Sequence, residues 1–189
     1  MKNILVVGLG NPGGKYEGTR HNMGIDVVRA WVEENREAGM VMRDWKDEPD
    51  MHAALAAVFL PEAKVTCLFP LTFMNDSGQA VAAFVRWSGI SVDQVIVAHD
   101  DLELPLGVVQ TQTDGSAHGH NGLRSVSESL GTQAFARLRI GIGRPAEDIP
   151  IHDFVLQRFS SDEREHIKTT ILPVAVRELT QLVGNRLVN

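Results

Sequence analysis

"GLGNPGGKYEGTRHNMG", residues 8–24, follows the strand-like run Ile4-Leu5-Val6-Val7 and decides how the chain is read. Gly8, Gly10 and Gly13 match G-x-G-x-x-G, the dinucleotide fingerprint of a strand-to-helix turn. Such a turn needs its helix to open beside the glycines, so that the first N–H groups meet the pyrophosphate. Here Pro12 and a polar run to Asn22 delay the helix to about residue 23. No acidic residue closes a clear second strand about 20 residues further on. The nucleotide reading therefore fails. What remains is a long polar loop that carries His21, flanked by Arg20 and Asn22, out beyond a buried strand. Asn11-Pro12-Gly13 is equally a favourable turn in its own right.

Outward from that loop, helical and strand signals mix along the whole chain. Residues 3–8 read as a buried strand and 23–38 as a helix, with Ile25, Val28, Trp31 and Val32 at helical spacing and Gly39 as the stop. Residues 53–60 and 64–69 read as paired strands. A helix near 77–88 buries Val81, Phe84 and Val85 and ends at Gly89. Residues 93–98 form an apolar strand running into the loop His99-Asp100-Asp101, and 107–113 alternate weakly as a further strand. A helix near 121–130 precedes "RLRIGIG", where Leu138, Ile140 and Ile142 alternate with Arg137, Arg139 and Gly141. Ser160 and Glu163 make a capping box for a last helix, which places Ile167, Ile171, Val174, Leu179 and Leu182 inward past a kink at Pro173. The class is α/β: a single domain, residues 1–189, with a mixed, mostly parallel sheet surrounded by helices.

Composition narrows the function classes. The 189 residues suffice for a substantial core without staples. The lone Cys67, in "KVTCLF", excludes an intramolecular disulfide and reads as a small core residue. No stretch approaches the roughly 18 apolar residues of a membrane span, and the apolar run at the N-terminus stops too early for a signal peptide, which points to the cytoplasm. A net charge of −6 argues against general nucleic-acid affinity while leaving room for a local basic patch.

The polar residues gather on loops that follow strands, the place where α/β sheets carry their ligands. Asn11, Tyr16, Arg20, His21 and Asn22 follow the first strand. Asn75 ends "TFMN", His99-Asp100-Asp101 follow a third strand, and His118, His120 and Asn121 lie in "DGSAHGHNG". A histidine acts as general base near neutral pH, and an adjacent carboxylate fixes its tautomer. Asparagine amides donate to a developing oxyanion. One His–Asp pair with several asparagines suits hydrolysis of an ester or amide by activated water. No G-x-S-x-G elbow supports a serine nucleophile. Competing assignments are a zinc site from His99, His118 and His120, helix N-capping by Asn75 and Ser77, and solvated loop charges at Asp101 and Glu103. His52, His152 and His166 receive no role.

Together, "GLGNPGGKYEGTRHNMG", "TFMNDSG", "HDDLELPLG", "GHNGLRS" and "RLRIGIGRP" resemble, in order through residues 4 to about 159, the bacterial-type peptidyl-tRNA hydrolase family. The resemblance implies an enzyme that cleaves the ester between a peptide's C-terminus and the 3′-terminal ribose of tRNA, recycling tRNA from aborted translation. It implies no metal and no other cofactor, a monomer, and a twisted mixed sheet surrounded by helices. His21 matches the family's catalytic histidine and Asp100 the aspartate that orients it. Asn11, Asn75 and Asn121 match asparagines that hold the peptide's end and position the carbonyl or the water, Asn11 being grouped with the catalytic pair. Met74 and His120 match cleft-lining positions, Tyr16 a tyrosine at the catalytic edge, and Arg139 half of a clamp on the tRNA 5′-phosphate. Two positions depart from the pattern: His118 replaces a common glycine, and Gln112 replaces a lysine that partners the clamp arginine. Lys15, Arg124, Arg137, Arg139 and Arg144 remain as a local basic patch. A non-catalytic RNA- or protein-binding member of the same fold is the rival reading.

Overall fold

In the computed structural model, which describes residues 1–188, the first strand lies at the centre of everything else. β1 (Lys2–Gly8) is buried from Ile4 onward, as a continuous apolar run covered on both faces must be. The other strands are β2 (Val41–Glu48), β3 (Ala53–Leu60), β4 (Ala63–Pro70), β5 (Val95–Asp101), β6 (Val109–Gln112) and β7 (Ala136–Gly141). They form one sheet in the order β2-β3-β4-β1-β5-β7-β6. β1 pairs in parallel with β4 and β5, and β5 with β7. The pairings β2–β3, β3–β4 and β6–β7 are antiparallel. The sheet is therefore mixed with an even division of pairings, its parallel part confined to the four central strands.

Each face has its own apolar layer. Val6, Ile96 and Leu138 pack under α1 (Met23–Glu37) and the C-terminal helix. Leu5, Val7 and Val97 pack under α2 (Ser77–Ser88) and α3 (Asn121–Leu130). Ile25, Val28, Trp31 and Val32 are all buried, as their spacing predicts, and the Trp31 indole N–H donates to Thr180 Oγ1 at 3.0 Å. The helix ends before Gly39, at φ +72°. Gly8 serves this packing: a Cβ there would lie 2.7 Å from Ile25 Cα, so the first fingerprint glycine lets the start of α1 rest on β1.

Several sequence expectations are corrected. β5 extends through Asp101, so His99, Asp100 and Asp101 are buried strand residues rather than a following loop. β2 carries no buried residue, only exposed positions and three half-buried ones on the sheet edge, which is why its charged sequence hides it. α4 (Ile151–Val155) is a five-residue helix without a periodic signal. The Ser160–Glu163 capping box forms with both bonds, opening α5 (Ser161–His166). The kink before Pro173 is a π turn over Ile167–Ile171, which leads into α6 (Leu172–Val188). That wider turn shifts the buried face, so Ala175 and Val176 turn inward where Val174 is expected. Ser77 does not cap α2; its hydroxyl donates to the Met74 carbonyl at 2.9 Å.

Candidate active site

The C-terminal ends of β1, β4 and β5 and the loop before α3 enclose one cleft of about 450 Å³. Asn11, Tyr16, His21, Met74, Asn75, Asp100, His120, Asn121 and Arg139 all line it. The loop after β1 is closed by Asn22, whose side chain accepts from the Asn11 N–H at 2.8 Å and donates to the Asn11 carbonyl at 3.0 Å. Asn11 Oδ1 accepts from the Met74 N–H at 2.8 Å, which fixes the amide so that its Nδ2 is the atom left for the cleft. His21 sits in a 3₁₀ turn, Arg20–Asn22, that leads into α1.

At the cleft floor one carboxylate holds two histidines. His21 Nδ1 lies 3.0 and 2.9 Å from the two oxygens of Asp100. His120 Nε2 lies 2.9 Å from Asp100 Oδ1. The His120 tautomer follows from its other nitrogen: Nδ1 accepts from the Leu123 N–H at 3.2 Å as the N-cap of α3, so Nε2 carries the proton and donates. With Nδ1–H of His21 donating to Asp100, Nε2 is the ring nitrogen open to the cleft. His99 completes the cluster beneath, donating Nδ1–H to the Asp100 carbonyl at 2.7 Å. Its ring lies edge-on to His120 at 5.1 Å, while His120 and His21 are 4.9 Å apart.

This packing sets the charges. Burial pulls the His21 pKa down, but the Asp100 charge and hydrogen bond outweigh it and hold the group above its ordinary 6.5. For Asp100, burial favours the neutral acid, yet the facing histidines hold it well below the usual carboxylate range. His99, buried and beside His120, is pushed down to about 3 and stays neutral.

The rim is less basic than the sequence suggests. Arg139 donates Nε–H to Asp101 Oδ2 at 2.8 Å, and Arg144 pairs with Glu103. Arg137, expected in a surface patch, is only 1% exposed, and its guanidinium donates to the carbonyls of Gly115 and Ser116 in the loop before α3. Across the β6–β7 ladder Gln112 faces Arg137, and Gln110 faces Arg139. Arg124 donates to Asn121 Oδ1 at 3.0 Å. Asn75 and Asn121 stand exposed at the rim, as does His118 at φ +44°. Sequence reading missed three features here. Phe73 is 58% exposed and meets Tyr16 edge-on at 6.3 Å. His152 and Ile151 bring α4 into the cleft wall.

Among the described residues, the set whose ligand atoms lie within 4.8 Å of one another is His21, Asp100 and His120. It is not the His99, His118 and His120 set weighed from sequence. Both histidine–carboxylate contacts are already accounted for by shared protons.

A buried histidine–carboxylate pair in a cleft beyond the ends of an α/β sheet is an arrangement suited to a hydrolase, and the comparisons with known proteins find the chain similar to one class of hydrolase. A family model described as peptidyl-tRNA hydrolase matches residues 5–188. A peptidyl-tRNA hydrolase of Clostridium perfringens is 37% identical over 96% of this chain and 92% of its own length. One from Prochlorococcus marinus is 47% identical over 75% of this chain, a match that spans 66% of that relative. The crystal structure of peptidyl-tRNA hydrolase from Acinetobacter baumannii superposes with a TM-score of 0.86 at 33% identity, covering 97% of this chain and 89% of that one. The chain belongs to the peptidyl-tRNA hydrolase family.

Proposed function

We propose that hydrolysis of peptidyl-tRNA by this chain runs through His21 as general base, Asp100 as its orienting partner and Asn11 as an oxyanion donor. One observation carries the reading: Asp100 occupies Nδ1 of His21, which leaves Nε2 for the cleft that the Asn11 amide also lines. In the first step His21 Nε2 takes a proton from water as the water oxygen bonds to the ester carbonyl carbon. The carbonyl oxygen becomes an oxyanion, stabilised by Asn11 Nδ2 as an amide donor already oriented before reaction. In the second step the C–O bond to the ribose breaks and the imidazolium returns its proton to the leaving ribose oxygen. The products are a free peptide carboxyl group and intact tRNA. Asp100 stabilises the imidazolium between the two steps.

Asn75 and Asn121 at the rim suit the amide groups of the peptide's last residues, and Met74 and Tyr16 its side chains. His120, expected among the substrate contacts, has both nitrogens engaged with Asp100 and Leu123, so its part is to hold Asp100 in place. Arg139 meets the tRNA backbone only by sharing its charge with Asp101. Residues 1–189 act as one unit, a monomer working in the cytoplasm where peptidyl-tRNA arises. The test is single-turnover cleavage of an N-acetyl-aminoacyl-tRNA without metal, beside His21→Ala. Loss of the base costs roughly 10² to 10⁴ in rate. Near-normal turnover in a folded His21→Ala protein overturns the assignment, and RNA binding without turnover by the wild type supports the non-catalytic rival.

A further inference from the structure

The residue before the base is built into a different part of the chain. Arg20 is only 8% exposed, and its guanidinium carbon lies 4.5 Å from the Phe154 ring centre and 4.6 Å from that of Phe159. Between these rings its Nη2 donates to both oxygens of Glu163, at 2.9 and 3.1 Å. The backbone adds to the bond: the Arg20 N–H donates to the Gln157 carbonyl at 3.0 Å, and Thr19 forms a bridge with Arg158. Glu163 is itself fixed, because its carboxylate accepts from the Ser160 N–H in the α5 capping box. A stacked, charge-paired arginine is among the most orientation-specific contacts a side chain makes. Nothing in the hydrolytic step uses this group, although it adjoins the base in sequence.

The same segment reaches the cleft. Phe154 belongs to α4, whose Ile151, His152 and Val155 form the cleft wall with Leu156 beside them. The turn bearing His21 is therefore held twice: by Asn22 to the loop after β1, and by Arg20 to the segment that carries the α4 part of the cleft wall.

We infer that Arg20 is a positioning residue for His21, and that through it the α4 wall of the cleft sets where the base stands. Substrate pressing on Ile151 and Val155 acts on the same five-residue helix whose Phe154 stacks against Arg20. The inference rests on His21 being the base. Misplacing a reacting group by about 1 Å costs on the order of 10²-fold in rate, without altering the groups that hold the substrate.

The experiment compares wild type, Arg20→Lys, Arg20→Ala, Glu163→Gln and His21→Ala on an N-acetyl-aminoacyl-tRNA, with kcat and KM separated and pH profiles recorded. Glu163→Gln is the key variant, since glutamine keeps the capping box while removing the charge that anchors Arg20. It is expected to lower kcat about tenfold with KM nearly unchanged, and Arg20→Ala to lower it roughly 100-fold, with Arg20→Lys between them. Weakening the His21–Asp100 contact also moves the acid limb of kcat/KM to lower pH, and imidazole ¹⁵N spectra report the loss of the Nδ1–H bond. A merely structural role lowers Tm and moves neither. Wild-type kcat and pH profile in folded Glu163→Gln and Arg20→Lys overturn the inference, whether or not Arg20→Ala folds. An active His21→Ala overturns the underlying assignment of the base instead.

Discussion

Asp100→Asn is the change whose outcome the geometry determines most sharply. The carboxylate accepts from two donors: His21 Nδ1–H, which lies within reach of both oxygens, and His120 Nε2–H at Oδ1. An asparagine offers one acceptor and one NH₂ donor in their place. His120 cannot adapt, because its Nδ1 is committed to the Leu123 N–H, so its Nε2–H claims the amide oxygen at the Oδ1 position. The NH₂ then stands where Oδ2 was, 2.9 Å from His21 Nδ1. A donor there is tolerated only by the tautomer with its proton on Nε2, which is the nitrogen that must accept from water. The equivalent change in a Ser-His-Asp triad costs about 10⁴ in kcat, and a loss of roughly 10² to 10⁴ is expected here. Single-turnover cleavage measures it, and ¹⁵N spectra of the imidazole identify the tautomer. Combining Asp100→Asn with His120→Asn tests the reasoning itself. The shorter asparagine keeps the N-cap of α3 but releases the amide to turn its oxygen toward His21, so the double variant is expected to be faster than Asp100→Asn alone. A double variant no faster, or a single variant within threefold of wild type, refutes the account.

Two further outcomes follow from the same geometry. As the proposed base His21 acts in its neutral form, and Asp100 raises its pKa against the lowering effect of burial, so kcat/KM is expected to fall on the acid side with a midpoint above 6.5. In Asp100→Asn the raising causes vanish while burial remains, and the limb moves to lower pH; a stationary limb places the titrating group elsewhere. Gly24→Ala puts a Cβ 2.8 Å from the Leu9 carbonyl oxygen and closer still to that of Ala98, forcing the start of α1 off β5. About 1–3 kcal/mol of stability is expected to go, at roughly 2–4 °C of Tm per kcal/mol, and thermal unfolding showing no change contradicts that packing.

Much of this molecule is local and so is readable along the chain. Helices α1 and α2 follow from apolar spacing and from the glycines that end them, because an amphipathic stripe and a glycine stop are properties of a few consecutive residues. The capping box at Ser160 and Glu163 is equally local. The delay between Gly13 and Met23 is enough to dismiss the nucleotide. The polar residues of the site are legible too, since they gather where apolar strands end, although His99, Asp100 and Asp101 prove to belong to the strand itself.

What the sequence does not contain is the set of distant partners. β2 becomes a strand only because β3 offers it an edge, and its exposed side chains leave no period to read. The basic patch dissolves once Asp101 and Glu103 come up beside Arg139 and Arg144, a pairing made by neighbouring strands and loops. His120 changes from a cleft contact to a partner of Asp100 because the α3 N-terminus consumes its second nitrogen. Arg20 and Glu163 are 143 residues apart, and no local pattern joins them. The sequence by itself determined the longer helices, which strands are buried and which polar side chains are candidates for the chemistry, since those depend on near neighbours and on hydrophobicity. Only the tertiary structure decided which nitrogen of each histidine is free and what holds the base in place, because a hydrogen bond has a direction that composition does not carry.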